Sequence, residues 1–230
     1  MSFPSPRLSN PKWIASFIPT LRPRRYVGLG QRLTTSTKLQ RKGANIEVLH
    51  PPDVLVLTGV SGKVTSGKRL TSDSMSAAIR VSRGPESSIL LGGDIEYDCV
   101  DEWKKTKLQP SAKILVFPHH GGLPGLTDES EAKLFGYEIT KLVNPNIVIF
   151  SNHETKHGNP RECILAAIKN AVPRVRFACT QLPHRFHPQV RVTGTWSLHR
   201  SAKGTGVNQG TIYLVFQSSK IEVRFGEHGA

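Results

Sequence analysis

The stretch SILLGGDIEYDCVDEWKKTKLQPSAKILVFPHHGG, residues 88–122, decides the fold expected for this chain. Residues 88–91 are an apolar run that stops at two glycines, which is typical of a buried strand. Residues 99–107 carry Val100 and Trp103 at helical spacing among charged residues. Residues 114–117 are a second apolar run, rich in β-branched residues and ended by proline. A strand, a helix and a strand in this order predict an α/β fold.

Polar residues follow both of these expected strands directly. Asp94 comes after the first strand, and His119 and His120 come after the second. Ligands of α/β sheets gather at the carboxyl ends of strands, so these three side chains are expected at one edge of the sheet. Histidine nitrogen and carboxylate oxygen are usual ligands of zinc and also suit manganese. Each motif alone is more often an ordinary turn, but together they predict a divalent-metal site.

Five segments of the chain, in this order, resemble the metallo-β-lactamase-like domain of the bacterial competence (DNA-uptake) proteins. They are NIEVLHPP (45–52), DSMSAAIRV (73–81), ILLGGDIE (89–96), ILVFPHHGG (114–122) and IVIFSNHETKHGNP (147–160). The resemblance covers roughly residues 45–225 and implies an αββα sandwich. It also implies a metal-dependent hydrolase, a phosphodiesterase or nuclease, in which Asp94, His119 and His120 hold or face the metal. The strand that begins near Ser76 would then contribute a residue close to the site.

The chain departs from that family at two places. The family's upstream His-x-His/Asp-x-Asp-His loop has no counterpart, since the only histidine before Asp94 is His50. The late turn reads His157-Gly158-Asn159-Pro160, where the family has Gly-His-Pro. We therefore expect a partial or truncated αββα sandwich. In it, His153 or His157 could complete the site, and His157 is our candidate late ligand or general acid.

Asn159 has a competing local interpretation as a helix cap. It precedes Pro160 and Glu162, and proline at the first helical position and an acid at the third are typical of a helix N-terminus. We therefore predict that Asn159 caps a helix over residues 163–172. Other expected elements are a strand at 45–49, an apolar run at 54–60, a helix that starts at 127–128, a strand at 147–150, and a hairpin formed by 210–217 and 220–225.

Charge indicates a polyanionic partner. The formal net charge is +14 and the sequence pI is about 10.1. Residues 1–43 contain nine Lys and Arg and no acid, and residues 163–221 contain eight and no acid. Basic flanks around a more acidic middle suit an enzyme that binds the phosphates of nucleic acid. The resemblance to the DNA-uptake proteins implies DNA more than RNA as the partner. A generic basic surface is the alternative.

Composition bounds the class and location of the protein. Residues 1–43 are predicted to be a basic, Pro- and Arg-rich segment or linker, and residues 44–226 one domain. The chain has no apolar run of 18 residues and no secretory h-region, so we expect neither a membrane span nor a signal peptide. Cys99, Cys163 and Cys179 form no CxxC motif or disulfide framework, which favours a reducing, cytoplasmic setting.

Several alternatives stay open from the sequence. Gly62–Gly67 has the spacing of a phosphate-binding loop, but Arg69 replaces its Ser or Thr. His184 and His187 form a His-x-x-His pair in a Pro-rich loop, which is more typical of surface than of a metal site. The whole chain could be a catalytically incomplete nucleic-acid-binding or assembly subunit, or receive the missing ligands from a second chain. Hydrolysis of a small ester or lactam is a weaker hypothesis, because it gives the positive charge no role.

Overall fold

The computed structural model of the chain describes residues 35, 38–41, 43–60, 62–63, 70–84, 86–123, 128–153, 155–186, 212–217 and 220–225. Residues 1–34 lie outside this part, and with them most of the predicted 1–43 segment. His187 and most of Gly62–Gly67, the segment with the spacing of a phosphate-binding loop, also fall outside it. In the part described, no helix is long and apolar enough to cross a membrane.

The described residues contain one seven-stranded mixed sheet in which the strand order equals the chain order. Its strands are β1 Lys38–Arg41, β2 Ala44–His50, β3 Ala78–Ser82, β4 Ser88–Leu91, β5 Ile114–Val116, β6 Ile147–Phe150 and β7 Arg176–Cys179. The first four strands pair antiparallel. The last four pair parallel, so β4 belongs to both halves.

Four α-helices accompany the sheet in the described part of the chain. They are α1 Asp53–Thr58, α2 Tyr97–Lys105, α3 Glu129–Val143 and α4 Glu162–Ala171. Each of α2, α3 and α4 connects two neighbouring parallel strands. Such crossovers are almost always right-handed, so successive crossovers in one direction place their helices on the same face of the sheet. The main core lies on that face, where Trp103, Phe135 and Ile164 pack against Leu90, Leu115 and Phe150.

A small second sheet covers the opposite face. Its strands are β8 Ile212–Phe216 and β9 Ile221–Phe225, an antiparallel pair that confirms the expected hairpin. Successive strand residues point to opposite faces, so Ile89, Ile114 and Ile149 turn away from the helices. These residues form a second apolar cluster, against which Leu214 and Val223 of the hairpin pack. The layers confirm an α/β class with helices on one face and a strand pair on the other.

Local signals explain where α3 begins and ends. The Asp128 carboxylate accepts the backbone N–H of Ser130 at 2.8 Å, and Glu129 and Glu131 lie in the first turn. Both features stabilise the positive end of a helix. Asn144 ends the helix in the left-handed conformation, with φ of 51°. The expected start at 127–128 is therefore confirmed to within about a residue.

The predicted cap at Asn159 is wrong. The N-cap of α4 is Arg161, and the first helical residue is Glu162, so Pro160 does not occupy the first helical position. The Asn159 side chain instead donates from Nδ2 to the carbonyl oxygen of His119, at 3.4 Å. Asn159 therefore makes a tertiary contact where the sequence predicted a local cap.

The apolar run at 54–60 forms α1 and the residues after it, and Val56 is the buried residue of α1.

Candidate functional site

Polar residues of the parallel strands meet at one edge of the sheet, which we call the carboxyl edge. It is formed by the residues after β4, β5, β6 and β7, including Asp94, His119, Asn152 and Thr180. Parallel strands end side by side, which explains why residues far apart in sequence gather there. The first two of these residues were predicted from their positions after strands, and both lie at this edge.

Asp94 and His119 are neighbours at the carboxyl edge. The Nδ1 atom of His119 lies 3.9 Å from Oδ1 of Asp94, too far for a hydrogen bond. Two ligands of one tetrahedral zinc ion lie roughly 3.4 Å apart, given metal–ligand distances of about 2.1 Å. The His119 side chain is 14% exposed and that of Asp94 52% exposed. The pair therefore combines a sheltered nitrogen donor with a carboxylate open to solvent.

Backbone contacts hold the two turns together. The N–H of His119 donates to the carbonyl oxygen of Gly93 at 3.1 Å, and the N–H of Gly92 donates to Val116 at 3.0 Å. Gly93 has a φ of 57°, and a Cβ there would lie 2.8 Å from the Oγ of Ser76. Glycine is required at this position because of both its conformation and the close approach. The Gly-Gly-Asp turn is thereby fixed against the His-His turn.

The His-His turn has an unusual backbone. His119 and His120 have φ values of 49° and 57°, in the left-handed region that residues with a side chain rarely adopt. Each such residue costs about 1–3 kcal/mol, which contacts with the surrounding structure must offset. The N–H of Gly122 donates to His119 at 2.8 Å, and the N–H of Arg161 donates to Gly121 at 2.9 Å. The segment before α4 thus supports the strained turn.

The other two predicted ligands occupy exposed positions. His120 is exposed on the same turn as His119, and His157 is exposed in the loop between β6 and α4, with φ of 63°. No group of three or more His, Cys, Asp or Glu side chains in the described ranges converges in a metal-binding arrangement. The structure therefore brings together Asp94 and His119, and a role for His120 and His157 stays a prediction.

Three buried polar atoms in the described ranges have no hydrogen-bond partner. They are Nδ1 of His50, Nε2 of His119 and Oδ1 of Asn152. His50 ends β2, which runs in the same direction as β4, so all three residues belong to the same edge of the sheet. An unpaired buried polar atom costs about 1–3 kcal/mol. Such atoms are a reason to expect water or ligand at this edge.

His50 lies in a polar cluster beside the Gly-Gly-Asp turn. Its Nε2 lies 3.0 Å from the carbonyl oxygen of Ser74, and the Ser74 hydroxyl donates to Oε2 of Glu96 at 2.9 Å. Burial lowers the pKa of His50, an effect that the Ser74 hydrogen bond and the nearby acids Glu102 and Asp98 only partly offset. The imidazole is therefore a neutral, largely structural group at pH 7.

Sequence reasoning missed a set of residues that fix the late loop, residues 151–161. The Nδ2 of Asn152 donates to the carbonyl oxygens of Asn159 and Gln181, at 3.1 and 3.0 Å. The Nη2 of Arg185 donates to Gly158 at 2.9 Å and also to Pro160. The position of Asn152 directly after β6 was the available signal, since it matches that of Asp94 after β4. No comparable signal marks Arg185, whose neighbour His184 begins a short 3-10 turn.

Comparison with known proteins adds no family. No protein-family model matches the chain, and no curated protein matches it significantly. The chemistry of the site must therefore be judged from its own residues. Asp94 and His119 offer a divalent cation two donors of the right type, Oδ1 and Nδ1, 3.9 Å apart. The unpaired Nε2 is the other nitrogen of the His119 ring and does not face Asp94.

Proposed function

We propose that this chain is a metal-dependent hydrolase that acts on phosphodiesters. The observation that carries the proposal is the Asp94–His119 pair, with Oδ1 and Nδ1 3.9 Å apart at the carboxyl edge. The resemblance of five segments to the metallo-β-lactamase-like domain implies the reaction class and a partial αββα sandwich. A bound divalent ion, zinc or manganese, would lower the pKa of a water and stabilise charge on phosphoryl oxygens.

The chain's own residues have distinct roles in this proposal. Asp94 and His119 hold the ion, with Asp94 as the more solvent-exposed ligand. His120 and His157 are exposed enough to meet a substrate directly. His120 completes the ligand set or orients the phosphate, and His157 serves as a late ligand or as the general acid for the leaving oxygen.

Nucleic acid is the substrate class that the charge favours. A net charge of +14 raises the local concentration of a polyanion and speeds its association. A small neutral ester or lactam would gain nothing from this charge. DNA is the first substrate to test, in line with the DNA-uptake family that the segments resemble. We also propose a cytoplasmic location, which fractionation of cells would test.

Metal content tests the proposal directly. We expect about one zinc or manganese per purified chain by mass spectrometry, and much less in Asp94→Ala. Asp101→Ala is the matched control, because Asp101 is a partly exposed acid of α2 that pairs with Lys105 at 2.6 Å, outside the site. Retention of metal in Asp94→Ala, or no binding by the wild-type chain after incubation with zinc and manganese, would overturn the proposal.

A second candidate is a catalytically incomplete nucleic-acid-binding or assembly subunit. The observation in its favour is that no group of three or more potential metal ligands converges in the described ranges. A second chain could then supply the remaining ligands. Cleavage and binding of labelled DNA by His120→Ala separate the two candidates. Lost cleavage with retained binding supports the hydrolase, whereas a wild-type chain that binds DNA without cleaving it supports the subunit.

A further inference from the structure

The side chain of Asn159 is wedged between two parts of the His-His turn. Its Nδ2 lies 3.4 Å from the carbonyl oxygen of His119. A Cβ on Gly122 would lie 2.9 Å from the same Nδ2 and 3.1 Å from the Asn159 Oδ1. The amide therefore packs flat against the glycine while it donates to the histidine. A larger residue at either position would separate the late loop from the turn.

Asn159 is itself held in place from two directions. Asn152 donates to its carbonyl oxygen and, with the same Nδ2, to Gln181 after β7. Arg185 donates to the carbonyl oxygens of the residues on both sides of it, Gly158 and Pro160. The backbone of Asn152 also exchanges hydrogen bonds with the Thr180 hydroxyl, at 3.0 Å in each direction. A hydrogen-bonded path thus runs from the end of β7, through Asn152 and Asn159, to His119.

This path ends on a residue that needs support. His119 has a left-handed backbone, and its ring nitrogen faces Asp94. Local sequence explains the conformation only in part, because histidine tolerates a positive φ better than most residues but still adopts it rarely. The direction of the His119 ring depends on that backbone, so whatever stabilises the left-handed conformation also sets the distance to Asp94.

We propose that Asn159 is a positioning residue that keeps His119 in its left-handed conformation beside Asp94, and that Asn152 holds Asn159 for this purpose. The amide touches neither Asp94 nor the proposed ion, so its effect passes through His119. Its importance for metal binding rests on the proposed function, but its effect on the His119 backbone does not. Groups that orient metal ligands typically change metal affinity by about 10–100-fold when they are removed.

The first test uses metal-free protein. Backbone and ring resonances of His119, assigned by NMR, report its conformation and its tautomer. We expect Asn159→Ala to shift the Cα and Cβ resonances of His119 away from left-handed values. Asn159→Asp keeps the volume but removes the Nδ2 donor, so it should shift them in the same direction and covers the case in which the alanine variant does not fold. Asn170→Ala, an exposed asparagine of α4, is the matched control and should leave them unchanged.

The second test measures zinc affinity of the same variants by competition with a chromophoric chelator. We expect about 10–100-fold weaker binding in both Asn159 variants and wild-type affinity in Asn170→Ala. Unchanged His119 resonances in a folded Asn159 variant would overturn the positioning role, whether or not metal binds. Shifted resonances in a chain whose wild-type form binds no zinc or manganese would support the positioning role while refuting the proposed hydrolase, so the two failures are distinguishable.

Discussion

The backbone N–H of Asp94 donates to the hydroxyl oxygen of Ser76 at 2.8 Å, which joins the turn after β4 to the residue that leads into β3. The two residues are 18 positions apart and meet because β3 and β4 pair antiparallel. Ser76 thereby fixes the backbone from which the Asp94 carboxylate projects. It is not itself a ligand in the proposed site, but it helps to determine where the ligand lies.

Replacement of Ser76 should therefore weaken metal binding without removing a ligand. In Ser76→Ala the Asp94 N–H loses its acceptor, which costs roughly 1 kcal/mol of stability. We expect zinc affinity to fall by about tenfold, by analogy with other groups that orient ligands. Urea unfolding and zinc competition measure the two effects. Ser88 at the start of β4 offers a control serine away from the carboxyl edge, and equal affinity losses in both alanine variants would contradict the role of Ser76.

Stability should fall in mild acid because of His50. Its pKa is lowered by burial in the folded state, from an ordinary value of 6.5. As pH falls below 6.5, the unfolded chain takes up a proton that the folded chain resists, so the folded state loses stability. The loss is about 1.4 kcal/mol per pH unit until the lowered pKa is reached, where it levels off.

Urea unfolding at pH 7.5 and pH 5.5 tests this prediction. His50→Gln keeps a side-chain N–H that can donate to Ser74 but does not titrate. We expect the free energy of unfolding of the wild-type chain to drop by more than that of His50→Gln over this range. The comparison cancels the titration of the other histidines. Identical drops in both proteins would show that His50 has the same pKa in the folded and unfolded states.

Two glycines with positive φ should respond differently to alanine. Gly121 has φ of 78°, and a Cβ there would lie 2.6 Å from Pro160 and 2.8 Å from Phe150. Gly84 has φ of 126°, but nothing lies within 4 Å of its Cβ position. We expect Gly121→Ala to destabilise the chain by about 3 kcal/mol or more, through strain and overpacking. Gly84→Ala carries backbone strain alone and should cost about 1 kcal/mol. Thermal unfolding of both variants makes the comparison, and equal losses would contradict the close packing of the His-His turn against the late loop.

Two of the cysteines should be unreactive in the folded chain. Burial raises the pKa of the Cys99 and Cys179 thiols well above the ordinary value. The thiolate is the reactive form, so both should resist iodoacetamide at pH 8 until the protein unfolds. Cys163 is also buried, but at 9% exposure it lines a surface groove between α3 and α4 and should be the first of the three to react. Peptide mapping by mass spectrometry identifies the labelled residues, and rapid labelling of Cys99 or Cys179 under native conditions would argue against their burial.

Periodicity in the sequence predicted much of the fold, because the relevant signals are local. The segment from β4 to β5 was predictable because it contains two apolar runs, with Val100 and Trp103 at helical spacing between them. The positions of Asp94 and His119 followed from the rule that parallel strands end side by side. The run at 54–60 was different, since a short apolar run has no period that separates helix from strand.

The contacts that complete the site could not be predicted in this way. Asn159 has the local features of a helix cap, yet its side-chain amide donates to the carbonyl oxygen of His119, 40 residues earlier. Asn152 and Arg185 donate to backbone carbonyl oxygens of the late loop. Every residue has such an oxygen, so the sequence does not show which ones are bonded. The left-handed backbone of His119, which we propose is held by Asn159, lies in this same irregular part of the chain. Local propensity was therefore a poor guide wherever the chain departs from regular strands and helices.

A sheet whose strands stand in chain order has a consequence for how the chain folds during synthesis. Every pairing from β1 to β7 joins neighbours along the chain, so each new strand can extend an existing edge at a small loop-closure cost. The hairpin of β8 and β9 is the exception, because it packs on a face of the sheet that is formed by earlier residues between 89 and 178. Until residues 212–225 have left the ribosome, the side chains of Ile89, Ile114 and Ile149 lack the packing that the hairpin provides. Apolar surface left unpacked during synthesis is the kind of surface that chaperones bind.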